Sequence, residues 1–395
     1  MGGQFAFLVT QLTFKPKPLP STVRLDQQTA IITGSNVGIG LETARQLASH
    51  GVSRIILGVR DISKGNAAKD NLAKSSPNCD FQVWELHQDS YDSITAFAEK
   101  AKSLDRLDIV LLNAALKQLK WTTSPFGHEE NVQVNHIGTA LLSLLLLPLL
   151  KSTSQQTGKP GRLTFTTSEV HFWTAFKEKT APNILERMDQ KDSFGDGMER
   201  YNTSKLLVVF WFRELASKVD AKEVIINAPN PGFVASQFHR HDSSAGFKVF
   251  TKLLAWTPAQ GAYFLTDAAV TKQAESHGAY IQEQKITPQV QHQHLKMVTN
   301  FAKSFEIRSF RRGQESSEEA MGRNYRTLQE GSPNCKHRQY LAMRWKRCTR
   351  CEIQFCEAHG EKRLPVQLLN ASQTSSPSLA ASLMELKVSH FIIEK

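Results

Sequence analysis

The stretch that most constrains this chain is residues 30–51, AIITGSNVGIGLETARQLASHG, which reads as a buried strand, a glycine turn and a helix in immediate succession. Ala30, Ile31 and Ile32 are apolar, as a strand covered on both faces must be, and they run straight into Thr33. Gly34 lets the chain leave the strand sharply, Gly38 removes a side chain where a pyrophosphate would approach, and Gly40 lets the new helix lie against the sheet. Asn36 and Ile39 fill the positions between them. Leu41, Ala44, Leu47 and Ala48 share one helical face, and Gly51 supplies the stop. Backbone N–H groups at that helix start would face phosphates, although a glycine turn of this kind also serves packing alone.

The same alternation continues along the chain. Residues 54–59 (RIILGV) form a second strand ending at Arg60, and residues 81–86 a third. Ile94, Phe97, Ala98 and Ala101 mark the next helix, and residues 108–113 the fourth strand, ending in Asn113-Ala114-Ala115. Asn135 opens a helix containing LLSLLLLPLL, too short for the roughly 20 apolar residues of a membrane span and interrupted by Pro148. It reads as a core helix that also packs at a subunit interface. Residues 162–167 form the fifth strand with Ser168 at its C-terminal end, where open α/β sheets place ligands; Thr167 is the competing register. Tyr201 and Lys205 lie four apart on one face of an apolar helix. A phenol has a pKa of about 10, so an acid/base tyrosine needs a nearby cation to favour phenolate, and Lys205 supplies one. Residues 224–227 form a sixth strand before Pro231, Gly232 and Ser236. Thr257 and Pro258 read as a helix cap and first helical position, and residues 278–281 as a last edge strand.

The spacing T-G-x-x-x-G-x-G, followed in order by Asn113, Asn135, Ser168 and Tyr201-x-x-x-Lys205, resembles the short-chain dehydrogenase/reductase family over residues 26–285. The resemblance is closest to members from filamentous fungi, with a retinol-dehydrogenase-like long segment before the tyrosine. It implies an α/β fold: a Rossmann-type, doubly wound parallel sheet of about seven strands with helices on both faces. It implies Asn135, Ser168, Tyr201 and Lys205 as the catalytic set, with Asn135 holding a water in a proton relay. It also implies Thr33, Gly34, Asn36, Gly38, Ile39, Gly40, Arg60, Asn113, Tyr201, Lys205, Pro231, Gly232 and Ser236 as dinucleotide contacts. Val59 takes the place of the family's ribose-binding acid and Arg60 follows it, so NADP(H) is expected over NAD(H). Where the family has an aspartate touching adenine, Glu85 or Gln88 and Asp89 must serve. Its N-A-G becomes Asn113-Ala114-Ala115, which adds a methyl group near the cofactor ribose. The long segment between Ser168 and Tyr201 carries His171, Phe172, Trp173 and Phe176, either as a substrate pocket wall or as a satellite core, with His171 structural. In the family, residues 238–256 close over substrate.

At 395 residues and 44.3 kDa the chain holds one large α/β core and an appendage. Residues 1–25 read as a short arm packing on the domain. No cation precedes the apolar part of that arm, which argues against a secretory signal, and Ala6 defeats a myristoylation motif at Gly2. Five scattered cysteines suit a reducing, cytoplasmic compartment. Of the net charge of +11, residues 286–395 contribute +7 through 17 Lys/Arg against 10 Asp/Glu, so nucleic acid is not implied for the main domain. That extension holds Cys348, Cys351, Cys356 and His359, with Cys335 and His337 upstream, at a spacing that matches no familiar zinc site, and no metal is assigned. Its basic stretch with Tyr340 and Trp345 reads as solvated charge, and the extension could also reflect an unusual gene model.

The expected function is an NADP(H)-dependent oxidoreductase interconverting a carbonyl and a secondary alcohol on a lipophilic small molecule, as a homo-oligomer, in a fungal secondary-metabolite pathway. The competing expectations are a dinucleotide-sensing regulator without turnover and a nucleic-acid-binding tail.

Overall fold

The computed structural model describes residues 4–236, 245–287, 344–347 and 354–357. The apolar runs become strands β1 (Thr29–Thr33), β2 (Arg54–Val59), β3 (Asp80–Glu85), β4 (Ile109–Leu112), β5 (Gly161–Phe165), β6 (Val224–Pro229), β7 (Ala279–Gln282) and β8 (Lys285–Ile286). They form one sheet in the order β3-β2-β1-β4-β5-β6-β7-β8. The first seven are parallel. β8 turns back antiparallel to β7 through Glu283 and Gln284, both at positive φ, a two-residue return too short to show in a hydrophobic pattern. Strand order reverses between β1 and β4, and there the crossovers leave in opposite directions and open a crevice at the strands' carboxyl ends.

Helices α1 (Gln4–Thr13), α2 (Gly38–Ser49), α3 (Ile62–Ser75), α4 (Tyr91–Ala101), α5 (Glu130–Val132), α6 (Thr139–Thr157), α7 (Ile184–Met188), α8 (Gly197–Ser217), α9 (Ala245–Leu254) and α10 (Pro258–Thr266) surround the sheet. Ala30 and Ile32 of β1 pack with Ala44 and Leu47 of α2 and Phe264 and Leu265 of α10. Ile31 is equally buried, so β1 is covered on both faces, as its unbroken apolar sequence requires. Each isoleucine so buried contributes on the order of 1.5–3 kcal/mol. The Thr257 capping box, with Pro258 at the first helical position, starts α10 where the sequence placed it.

Two details differ from the sequence reading. Pro148 does not interrupt its helix: one continuous helix runs Glu130–Thr157, with a π-helical stretch, Gln133–Gly138, joining α5 to α6. Pro148 sits on the exposed side of that helix. Among the described residues this is the one helix long and apolar enough to cross a bilayer, and 78% of its most apolar window is buried within the fold. Asn135 accordingly lies inside a helix rather than at its start, in the π-helical stretch Gln133–Gly138.

The chain divides into two units, Met1–Ile307 and Arg308–Lys395. Within the second, Arg344–Arg347 and Gln354–Glu357 pair antiparallel. Of the expected Cys/His cluster, Cys356 lies on that hairpin; Cys335, His337, Cys348, Cys351 and His359 lie outside the described residues, as do His239, Arg240, His241 and Asp242 of the expected closing segment.

The Thr287 amide donates to the Tyr280 carbonyl at 3.0 Å and finishes the sheet edge. A chain ending at Thr287 is therefore expected to unfold cooperatively, with a melting temperature within a few degrees of the full chain by circular dichroism. Aggregation of the shortened chain would show that the extension supports the fold.

Candidate active site

The ends of β1 and β4 are tied together side by side. Thr33 Oγ1 accepts from the Asn113 and Ala114 amides, each at 2.9 Å, and Asn113 Nδ2 donates to the Thr33 carbonyl at 3.0 Å and the Gly34 carbonyl at 3.3 Å. Gly34 turns at φ +64°, and a Cβ there would lie 2.9 Å from Ala114 Cα. The first alanine of Asn113-Ala114-Ala115 thus packs on the glycine turn, and the second, in the family's glycine position, lines the cavity. Gly38 also needs its positive φ of +62°, and a Cβ on Gly40 would stand 2.5 Å from the Gly34 carbonyl oxygen and 2.7 Å from Asn113 Nδ2. Helix α2 begins directly over this turn, and its N-cap, Val37, offers no side-chain acceptor. Its first amides are left for a ligand.

From this turn a cavity of about 790 Å³ extends along the carboxyl ends of the strands. Asn36, Ile39, Pro231, Gly232 and Ser236 all line it. At one end stand Arg60, Asp61 and Lys64. Asp61 caps α3 and pairs with Lys64 at 3.2 Å, and the Lys64 amide and ammonium hold its carboxyl below the usual range. Arg60 is exposed and makes no ion pair among the described residues. Beside it, Glu85 turns outward to His87 at 3.1 Å, so of the residues expected near adenine only Gln88 and Asp89 reach the cavity. Gln88 is 6% exposed, and neither polar atom of its side chain has a partner among the described residues.

At the other end the expected catalytic residues converge. Tyr201 and Lys205 lie one turn apart on α8, whose start is fixed by Asp196 accepting from the Met198 amide at 3.0 Å. Ser168 and Tyr201 both line the cavity. Thr167, the alternative, also lines the cavity, and its hydroxyl donates to the Pro229 carbonyl at 2.9 Å. Lys205 Nζ donates to the Thr166 carbonyl at 3.1 Å, and burial lowers its pKa to about 8. Burial also raises the Tyr201 pKa, with Ser168 opposing. The sequence expectation that Lys205 draws the phenol toward phenolate is thus outweighed here by desolvation, and the phenol is protonated at neutral pH. Asn135 Oδ1 accepts from the Leu116 amide at 2.8 Å, while its Nδ2 donates to the Leu116 carbonyl and to Ser204 Oγ, both at 2.9 Å. Ser204 Oγ donates in turn to the Tyr201 carbonyl at 2.7 Å, which couples the β4 loop to the tyrosine's helix.

The long segment before Tyr201 divides its aromatics between the two roles considered for it. Trp173 lines the cavity, whereas Phe176 packs in a cluster with Ile184, Leu206 and Phe210. His171 is structural: Nδ1 meets the Ser168 carbonyl at 2.6 Å, and the ring packs on Phe172 and Tyr280. Arg200, 1% exposed, anchors the segment through Glu178 at 3.1 Å and the Ser193 carbonyl at 2.9 Å, and Glu199 accepts from Thr174 at 2.7 Å. Neither Arg200 nor Glu199 stood out in the sequence, where charges beside a helix start look solvated. Phe7 and Leu8 of α1 line the cavity as well, and no sequence signal placed them there.

The short chain dehydrogenase family profile matches residues 28–176. The short chain dehydrogenase sol3 of Alternaria solani is 58% identical over 286 residues, which span 72% of this chain and 99% of that protein. This chain belongs to the short-chain dehydrogenase family. As a short-chain dehydrogenase it is an oxidoreductase, with further fungal relatives such as the short chain dehydrogenase AOL_s00215g274 of Arthrobotrys oligospora, 38% identical over 68% of this chain and 87% of that one. The fold is shared with levodione reductase, at a TM-score of 0.53 and 16% identity over 66% of this chain and 96% of that chain. It is shared too with the Pseudomonas aeruginosa RhlG/NADP active-site complex, at 0.51 and 22% over 67% and 97%.

In this short-chain dehydrogenase, Gly40→Ala is expected to push the Gly34 carbonyl and Asn113 apart, destabilising the fold by about 1–3 kcal/mol as overpacking does. Dinucleotide affinity, read by fluorescence titration, should fall with it; unchanged affinity and melting temperature would show that the turn has slack.

Proposed function

We propose that this short-chain dehydrogenase interconverts a carbonyl and a secondary alcohol on a lipophilic small molecule, using NADP(H), with Tyr201 as general acid/base. The observation that carries the reading is that Ser168, Tyr201 and, one turn on, Lys205 line one end of a cavity whose other end holds the glycine turn and Arg60. A dinucleotide suits the residues present: α2 starts without a side-chain cap, Gly38 lines the cavity at positive φ with no side chain, and the Gln88 amide is buried without a partner among the described residues. Bound there, the nicotinamide would give or take a hydride. Thr33, Gly34, Asn36, Gly38, Ile39 and Gly40 would hold the pyrophosphate side, Asn113, Pro231, Gly232 and Ser236 the nicotinamide side.

The chain's own residues manage the proton. Ser168 positions the substrate oxygen by hydrogen bond, and Tyr201, protonated at neutral pH, donates its proton to that oxygen in reduction and accepts it in oxidation. Lys205 places a positive charge one turn away, which favours the phenolate left after donation. Asn135 fixes the β4 loop against α8 so that these groups keep their spacing. A buried acid/base pair beside a hydrogen-bonding serine suits turnover better than dinucleotide sensing. The wider proposal is a cytoplasmic enzyme, assembled as a homo-oligomer, in fungal secondary metabolism; Cys79, buried as a free thiol, suits a reducing compartment.

The unmodified protein should bind NADPH more tightly than NADH, because Arg60 can pair with a 2′-phosphate and Val59 offers no acid to the ribose. Arg60→Asp should reverse that preference, by about 10- to 100-fold if one charge-assisted contact is lost. Equal affinities in the unmodified protein, measured by fluorescence, would remove Arg60 from the role.

Tyr201→Phe should keep dinucleotide binding and lose about 10²- to 10⁴-fold in turnover. In the unmodified enzyme, kcat/KM for reduction should fall as pH rises through about 8, since Lys205 is charged below that value and neutral above it. A Tyr201→Phe protein with most of its activity would end the mechanism.

A further inference from the structure

The N-terminal helix does more than lie against the domain. Its residues 7, 11 and 14 recur at helical spacing on the inward side, while Val9 and Leu12 face outward at 43% and 67% exposure. Phe14 packs against Trp256 and Phe264, at 6.1 and 5.9 Å between ring centres. Gln11, 5% exposed, uses its whole carboxamide: Nε2 donates to the Phe233 and Leu254 carbonyls, each at 2.9 Å, and Oε1 accepts from the Phe233 amide at 3.1 Å. Gly232 is required beneath it, since a Cβ there would lie 3.0 Å from Gln11 Oε1 and closer still to Trp256. Thr10 donates to Glu283 at 2.9 Å, and Gln284 grips the Lys17 amide and carbonyl at 2.8 and 2.9 Å. Fastened in this way, the helix presents Phe7 and Leu8 to the cavity, with the Phe7 ring edge-on to Trp173 at 5.6 Å and 83°.

We propose that the N-terminal helix is a wall of the substrate site, that Phe7 and Leu8 are specificity-determining residues for a flat, apolar ring system in the substrate, and that Gln11 is the positioning residue that holds the wall in place. The inference rests on the reading of this cavity as the site of carbonyl and alcohol interconversion. Phe7, Trp173 and Phe233 line one cavity as aromatic surfaces, and such surfaces bind a flat ring by offset or edge-on contact. A short aliphatic carbonyl would react at Tyr201 without reaching them. The long segment that carries Trp173 and the arm that carries Phe7 are thus two parts of one recognition surface, contributed from the middle and the start of the catalytic unit's sequence.

The probe for this wall is 1-anilinonaphthalene-8-sulfonate, a flat apolar dye, titrated by fluorescence into the full chain saturated with NADP⁺. Phe7→Ala should weaken dye binding about tenfold, as loss of one aromatic contact does, while leaving NADP⁺ affinity unchanged. Phe7→Leu, which keeps an apolar side chain and guards against misfolding, should fall between. Gln11→Ala should weaken the dye similarly, and Val9→Ala, on the outward side, should not. The proposal is overturned if the unmodified protein fails to bind the dye, or if Phe7→Ala and Gln11→Ala each leave its affinity within about twofold. Loss of NADP⁺ binding by the unmodified protein would instead overturn the dinucleotide reading. A fully active Tyr201→Phe protein whose dye binding still responds to Phe7 would overturn the proton-transfer reading and leave the wall standing.

Discussion

Everything functional in this molecule depends on how closely β1 and β4 are held at the point where the sheet's strand order reverses. Two adjacent backbone amides, those of Asn113 and Ala114, converge on a single threonine hydroxyl, and the Asn113 carboxamide answers by holding the two carbonyls that follow. These bonds fix the glycine turn at van der Waals distance from the next strand, so the space above it is defined by backbone rather than by mobile side chains. A phosphate site made of backbone amides is pre-organised, and its ligand need not displace side chains to enter. The same strand end leads through Leu116 to Asn135 and thence to the helix of Tyr201. The glycine turn and the Tyr201 helix are therefore parts of one hydrogen-bonded frame.

Around this frame the molecule accepts buried charge. Arg200 lies beside Tyr201 in sequence and is almost wholly buried, with Glu178, Glu129, Asp189 and Glu199 as the acidic groups around it. An ion pair of this kind contributes little net stability against an apolar replacement, but removal of one partner strands the other. Its observable work here is geometric: it holds the long segment from Thr174 to Ser193 against the start of α8, which would otherwise carry the segment's conformational freedom directly into the tyrosine.

The sheet and the site differed in how plainly the sequence announced them. β2 was legible from end to end, and β1, β4, β5 and β6 within one or two residues, because strands covered on both faces must be written as continuous apolar runs. The positions of Gly34, Gly38 and Gly40 were legible for a similar reason, since each stands where a Cβ has no room or no permitted φ. What stayed hidden depends on pairing across distance. Asn135 sat in the π-helical stretch inside a helix; Pro148 was tolerated because its face is exposed; Arg200 looked like any charged helix residue until Glu178 was brought beside it. Gln11 was hidden most completely, for a glutamine in an apolar decamer says nothing of the two carbonyls it will meet more than two hundred residues later.

The fastening of the N-terminal helix has a consequence for the order of assembly. Its hydrogen-bond partners are Phe233, Leu254 and Glu283, the last of which sits in the turn before the final strand of the sheet. During synthesis, this helix therefore has no place to dock until residues more than two hundred positions later have emerged. The face of β1 that packs on α2 also waits for Phe264 and Leu265 of α10, so that side of the sheet closes only shortly before. The N-terminal helix is thus fastened only on completion of the domain.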